Sequence, residues 1–404
     1  MFKNIVVGIS GGVDSAVTAL LLKKKGFNVM GVFMKNWDIL NEKGICLAEK
    51  DYKDAKKVCE KLDIPLFQVN FVKEYWNDVF SNLLEKYQSG YTPNPDILCN
   101  KNIKFDHFIH LAQTKFHADA VATGHYVKTS FGPYLENFKS HTDVLMLQAL
   151  DANKDQTFFL CQVSQQSLRY CMFPLGEYLK SDVKKIAKEA GLIEIAEKKE
   201  SMGICFVGKR EFQHFISEYI ENKDGDFVNL DNGKIIGKHQ GIHHWTIGQR
   251  CKISGLDDAY FVFQKNLQTN VITVVKGTNH PALYSDLVVV QNPHWIVNEP
   301  LELTDSECIL ICDFRFQHRN PLISCKVFKT LNDHLIIQLS QPLRAITKGQ
   351  YAVLYSGQIC LGSAEIIYPG PSYLSLGKDM NALENNTIKL IHNKVNAYIS
   401  SNNC

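Results

Sequence analysis

Apolar residues follow two rhythms along the N-terminal half of the chain. Residues 4–9 form a short apolar run of strand length, and over residues 15–25 Val17, Leu20 and Leu21 recur at helical spacing. Gly26 stands where a helix stops, and residues 27–33 return to a strand pattern. A strand, loop, helix and strand of this length make a parallel crossover. The alternation continues with a helix over 51–62, a strand over 66–69, helices over 73–87 and 103–115, and a strand over 120–123. It predicts an α/β fold with a doubly wound parallel sheet. Residues 90–100 carry Pro93 and Pro95, which are read as forbidding a continuous helix, so a shaped loop is expected there. Residues 181–190 read as a helix with Ser181 as its N-cap and Gly191 as its stop.

The rhythm changes near residue 209. A short helical stretch over 211–220 precedes a hairpin signal, Asp231-Asn232-Gly233, and predicts a small central α+β module. Strand-like runs then follow over 286–290, 307–316, 322–328, 335–339, 351–355 and 359–367, the pattern of a β-barrel or sandwich. The expected segments are a catalytic domain over 1–208, a central domain over 209–279, a C-terminal β-barrel over 280–372 and a polar, partly unordered tail over 373–404.

The 404 residues exceed what one hydrophobic core organises, in keeping with several domains. Formal net charge is +2, so a polyanion has to be bound by local clusters rather than by a basic whole. The twelve cysteines are scattered without short regular spacing and read as reduced thiols. Cys308 and Cys312 come nearest to a metal pair, but their segment alternates like a strand and lacks a partner pair, so no metal site is expected. His243 and His244 are adjacent, would project oppositely on a strand, and read as structural. Apolar runs are strand-sized, so no membrane span is expected. The first residues run straight into a strand; no leader is expected, and the compartment is not legible there.

The chemistry starts at Ser10-Gly11-Gly12-Val13-Asp14-Ser15. Small residues between a strand and a helix let backbone amides face phosphate oxygens, and the helix N-terminus adds partial positive charge. Ser10 and Ser15 offer hydroxyls, and Asp14 a carboxylate for magnesium on the phosphates. The Gly-Lys-Ser/Thr ending of the Walker sequence is missing. A tight turn with a capping serine is the plain alternative. Cys99, near Asp96 and Lys101 in a proline-stiffened segment, is either a tuned nucleophile or a buried structural thiol. Cys205, flanked by Ile204 and Phe206 as packing anchors, leaves the same two readings open. Asp96 is a candidate for proton transfer or a turn cap.

The loop resembles that of the PP-loop ATPases, which cleave ATP between the α and β phosphates. Together with Asn94-Pro95-Asp96, Cys99, Gly124-His125-Tyr126, Lys154-Asp155-Gln156 and Gly203-Ile204-Cys205-Phe206, its order and spacing resemble the tRNA-specific 2-thiouridylases. The segments 31–38, 73–80 and 199–206 are most similar to the mitochondrial branch. The resemblance implies a PP-loop domain of the adenine nucleotide α-hydrolase type. It also implies adenylation of O2 of the wobble uridine, followed by sulfur transfer from a cysteine persulfide.

By that resemblance Gly8, Ile9, Ser10, Gly11, Gly12, Val13, Asp14 and Ser15 would hold ATP with magnesium, Met34 would line the adenine site and Gly124 would touch the nucleotide. Cys205 would carry the persulfide, and Cys99 would attack it or pair with Cys205 in a disulfide. Asn94, Pro95 and Asp96 would meet the flipped base. His125, Lys154, Asp155, Gln156, Arg315, Phe316 and Gln350 would contact tRNA, the arginine and aromatic suiting phosphate pairing and stacking. Read without the resemblance, Phe316 is a core residue. The implied partners are tRNA, through its anticodon stem-loop, and a sulfur-donor protein such as a cysteine desulfurase or relay. A monomer and a mitochondrial location are expected. Two rival readings are a PP-loop ligase acting on a small molecule, indifferent to both cysteines, and a non-catalytic tRNA-binding or redox protein that releases no pyrophosphate.

Overall fold

The computed structural model describes residues 2–38, 47–198, 206–207, 210–304, 308–330 and 332–377. Five strands form an all-parallel sheet in the order Leu66–Asn70, Asn28–Lys35, Asn4–Gly8, Ala120–Ala122 and Cys171–Met172. Chain order reverses between Asn4–Gly8 and Ala120–Ala122, so the loops leaving these two strands splay apart at the C-terminal edge of the sheet. Such a switch point is where open α/β sheets leave a crevice. Ile5, Val6 and Val7 are fully buried, as a strand covered on both faces requires.

The expected loop over 90–100 is corrected. A helix begins at Pro95 and runs through Phe116, widening to π-helical turns over Cys99–His107. Pro95 occupies the first helical turn, where its missing N–H costs nothing, and the Asn94 side chain accepts a hydrogen bond from the Ile97 amide. The helix expected over 73–87 also holds a π segment, Trp76–Phe80. The two π segments pack together through His107 Nε2 and Asp78 Oδ2 at 2.8 Å. Ser181 is not an N-cap. Leu179 occupies that position, Lys180 starts the helix Lys180–Glu189, and the Lys180 amide donates to Asp151 Oδ2.

The central module is a five-stranded sheet beside the helix Phe212–Ile216, shorter than expected because the chain turns tightly after Ile216. The hairpin at 231–233 joins Gly225–Asn229 to Ile235–His239. His243 and His244 do not sit oppositely on a strand. They lie in a 3₁₀ turn, with ring centroids 4.3 Å apart.

Six antiparallel strands, from Tyr284–Trp295 to Ile359–Tyr368, close into a barrel by pairing first with last. The strand expected from 307 begins at Leu310; Glu307 lies outside the described residues. Within it Cys312 faces Cys325 across the ladder, sulfurs 3.6 Å apart, while Cys308 is exposed. Tyr373, the first residue of the expected tail, is buried and donates to Asp286; residues 378–404 lie outside the described ones.

Barrel and parallel-sheet domain share structure. A hairpin of the first domain, Lys128–Thr129 with Met146–Leu147, extends the barrel sheet alongside Ile359 and Cys360. Asp155, 1% exposed, accepts from the Ala149 amide and the Thr157 hydroxyl and lies 3.7 Å from Arg315 of the barrel. No helix among the described residues is long and apolar enough to cross a membrane.

Arg315→Ala strips a buried carboxylate of its cation and is expected to cost about 3 kcal/mol of stability, read as a shift in the urea midpoint. A loss below about 1 kcal/mol would mean that Thr157 and Ala149 satisfy Asp155 by themselves. In the central module, burial lowers the pKa of His239, His243 and His244, His243 from 6.5 to about 4. The unfolded chain therefore binds more protons between these values. Stability is full above about pH 6.5 and falls as pH drops toward 4. Urea midpoints measured across this range should show the slope, and His243→Asn should flatten it.

Candidate nucleotide and thiol site

The loop from Ile9 to Gly12 leaves the first strand at the switch point. Gly12 caps the helix Val13–Lys24 in extended conformation, with no side-chain cap, so the first-turn amides are left for an anion. Gly11 has φ +75° and lies so close to the Asp51 carbonyl that a Cβ would collide with it. Ser15 is buried, and its hydroxyl braces the loop by accepting from the Ser10 amide and donating to the Gly12 carbonyl. Ser10 is exposed. Met34, at the end of its strand, packs toward Gly8, where an added Cβ would stand 3.2 Å from its methyl group.

The opposite wall is the segment after Ala120–Ala122. A Cβ on Gly124 would lie 2.7 Å from the Ser15 nitrogen and 2.8 Å from the Asp14 carbonyl carbon, so only glycine lets the two walls meet. His125 is buried, with Nδ1 2.8 Å from the Thr123 hydroxyl. Burial, helped by Lys104, pushes its pKa far below the ordinary histidine value, so it is neutral. The Tyr126 hydroxyl donates to Asp14 Oδ1 at 2.8 Å.

Sequence reasoning missed Lys180, and a second lysine, Lys198, meets the loop from another segment. Lys180 Nζ donates to both Asp14 oxygens, at 2.6 and 2.7 Å, so the acid expected to meet magnesium already holds a cation. Reading Ser181 as the cap had hidden Lys180 outside its helix. Lys198 Nζ lies 2.8 Å from Asp51 and from Asp54, and 3.4 Å from the Gly11 carbonyl. Burial works against its charge, but the two carboxylates outweigh it and raise its pKa.

The helix that carries Asp96 and Cys99 feeds strand Ala120–Ala122 from the opposite edge of the sheet. Its N-terminal turns therefore lie at the C-terminal edge, beside the loop. Phe108 of this helix reaches Gly8, and Phe105 packs on the His125 ring. Cys99 is buried. Burial raises the Asp96 pKa, only partly offset by Lys104. Lys101, two residues along the helix from Cys99, donates to the Gln162 side chain. Cys205 lies outside the described residues. Its neighbour Phe206 is buried among Trp37, Tyr75, Phe80 and Phe215, the anchoring role expected of it.

The remaining candidates bond within the protein. Gln156 accepts from the Tyr126 amide through its side chain and donates from its own amide to the Tyr126 carbonyl. Phe316 is 1% exposed in the barrel core, as its residue type alone suggested, and presents no stacking face. Arg315 lies between Asp155 and the Tyr355 ring, 11% exposed. Gln350 donates to the Thr92 carbonyl at 2.6 Å, and Thr92 donates to the Lys348 carbonyl, so the barrel grips the approach to Asn94. Lys154 is half-buried. Among the described residues no group of three or more His, Cys, Asp or Glu is arranged to hold a metal.

Three family models match the chain in succession. Residues 3–209 match the family model of the tRNA methyl transferase HUP domain, 213–276 its PRC-barrel domain and 285–366 the aminomethyltransferase beta-barrel domain. Mitochondrial tRNA-specific 2-thiouridylase 1 of Drosophila melanogaster is 50% identical over 92% of this chain and 95% of that one. The Homo sapiens protein of the same name is 46% identical over 93% of each. The tRNA-specific 2-thiouridylase MnmA of Staphylococcus aureus (strain JH9) is 46% identical over 90% of this chain and 95% of that one. Among solved structures, a 4-thiouridine synthetase–RNA complex with bound ATP aligns over 54% of this chain and 50% of that one, at 17% identity and TM-score 0.32, too slight a likeness to add weight. With 46–50% identity to these relatives over at least 90% of its length, the chain belongs to the tRNA-specific 2-thiouridylase family.

Proposed function

We propose that this chain is a tRNA-uridine 2-sulfurtransferase that activates the wobble uridine with ATP and then thiolates it. The observation that carries the reading is the phosphate loop packed against Gly124 at the sheet's switch point, with the Asp96 and Cys99 helix on the same sheet edge. O2 of the uridine attacks the α-phosphorus of ATP and pyrophosphate leaves. The activated base then carries AMP on O2, a far better leaving group than the carbonyl oxygen. The terminal sulfur of a persulfide on Cys205 attacks C2, and AMP departs with the oxygen. Attack of the Cys99 thiolate on Cys205 Sγ breaks the S–S bond, leaves the sulfur on the base and pairs the two cysteines in a disulfide. A thiol reductant resets them, and a sulfur-donor protein reloads Cys205.

Asp14 is the acid that a phosphate-bound magnesium would meet, and Lys180 is the cation it would displace. Magnesium would supply charge neutralisation on the leaving pyrophosphate. Asp96, its pKa raised by burial, suits proton transfer at the base, with Asn94 and Pro95 shaping the approach. Lys154, half-buried beside Asp155, is read as a tRNA contact. Asp155, Gln156, Arg315, Phe316 and Gln350 are read as holding the barrel and crevice in the pose that receives tRNA. The names of the animal relatives support a mitochondrial location.

Pyrophosphate release and 2-thiouridine formation, measured with ATP, transcribed tRNA and a persulfide donor, test the whole scheme. Asp14→Ala should lower pyrophosphate release by roughly a hundredfold or more, the usual scale for a lost electrostatic partner of a transferring phosphoryl group. Cys99→Ser and Cys205→Ser should release pyrophosphate at near the wild-type rate yet form no 2-thiouridine. ATP cleavage that ignores tRNA would count against this reading and favour a small-molecule ligase.

A further inference from the structure

Tyr126 is 2% exposed, and its side chain joins the two walls of the crevice through the hydroxyl it donates to Asp14 Oδ1. Its ring also lies under the Lys180 ammonium, 5.7 Å from the nitrogen. Its backbone is fixed from the other side, where Gln156 bonds both its amide and its carbonyl. Gln156 in turn follows Asp155, whose carboxylate meets the barrel at Arg315. The phenol therefore sits on a rigid mount with its hydroxyl on the Asp14 carboxylate.

A carboxylate on a short side chain turns freely unless both oxygens are held. Lys180 holds the two oxygens by charge, which a polyphosphate would compete for. The tyrosine hydroxyl is neutral, so an arriving phosphate does not draw it away. It is the contact that keeps Asp14 oriented while Lys180 and the phosphates rearrange. We propose that Tyr126 is a positioning residue for ATP activation, acting through Asp14, and that Gln156 holds Tyr126 in place for that task. The inference rests on the ATP-dependent reading above and adds to it a residue that the phosphate loop does not contain.

The test is equilibrium binding of ATP to the full chain with magnesium present, alongside tRNA binding, for wild type, Tyr126→Phe, Asp14→Asn and the double variant. Tyr126→Phe keeps the ring and removes one oxygen. It should weaken ATP binding roughly tenfold, the scale of a hydrogen bond to a charged group. It should also raise the magnesium concentration needed for half-maximal binding, while tRNA affinity stays within about twofold. In the Asp14→Asn background the same change should add little, because the group it acts through is gone. Gln156→Met, which removes the acceptor of the Tyr126 amide, should shift ATP binding in the same direction, and it carries the test if Tyr126→Phe proves unstable to heat. Wild-type ATP affinity in both Tyr126→Phe and Gln156→Met overturns the proposal, as does an equal tenfold loss with and without the Asp14 carboxylate. A wild-type chain that binds no ATP overturns the functional reading instead.

Discussion

The close approach of Gly124 to the first turn of the Val13–Lys24 helix is the contact on which the rest of the site depends. A parallel sheet whose order reverses leaves two loops diverging from adjacent strands, and their separation sets the width of the crevice. Here they do not stay apart. With no side chain at Gly124, the second loop lies against the backbone of Asp14 and Ser15, and Tyr126 arrives within hydrogen-bonding reach of the Asp14 carboxylate. A methyl group there would push the walls apart by more than the margin a hydrogen bond tolerates. The tyrosine clamp on Asp14 is a consequence of that one contact.

The same contact explains why the barrel matters to a site it does not line. Polar side chains bridge the domain boundary in two ways: Gln165 donates to the Ile296 carbonyl, Gln350 to the Thr92 carbonyl and His318 meets the Asp155 carbonyl, while Gln162 donates to the Ser363 hydroxyl and Lys86 pairs with Glu365. Bonds of this kind fix position at modest energy, since each replaces a bond to water. The Asp155–Arg315 pair is different. At 3.7 Å, and with Arg315 Nε unpartnered among the described residues, it offsets little of its own desolvation, yet either partner alone would be an uncompensated buried charge. It favours the docked arrangement mainly by penalising every other one.

How much of this was legible beforehand depended on whether a feature was written locally. The phosphate loop was, because small residues between a strand and a helix state their geometry in six letters. The barrel was, because alternation is local. The helix at Pro95 was misread because proline was weighed as a breaker without asking which helical position it held; Asn94 before it was the local sign of a start. Lys180 was not legible at all. Its helix begins where Asp151 accepts the amide, a contact from 29 residues away, and Ser181 mimicked a cap that the fold never uses. Tyr126 was one tyrosine among sixteen until the fold set its hydroxyl on Asp14. Arg315 and Phe316 show the converse. Residue types that suit RNA also suit a domain boundary, and burial separates the two uses while sequence does not.

The two half-reactions make opposite demands, and the fold answers them with different materials. Adenylation needs fixed charge in a place phosphates can reach, and the crevice supplies amides, Asp14 and Lys180 on a sheet edge braced by Ser15 and Gly124. Sulfur transfer needs two thiols that stay apart until the base is activated. Cys99 is held on a helix whose packing residues, Phe105 and Phe108, also touch the nucleotide walls, so its position is set by the same core. Cys205 is covalently tied to Phe206, one bonded residue from a ring locked among Trp37, Tyr75, Phe80 and Phe215. Seven residues earlier, Lys198 is bound to Asp51, Asp54 and the Gly11 carbonyl. Lys198 is thus rooted beside the phosphate loop and Phe206 in an aromatic nest.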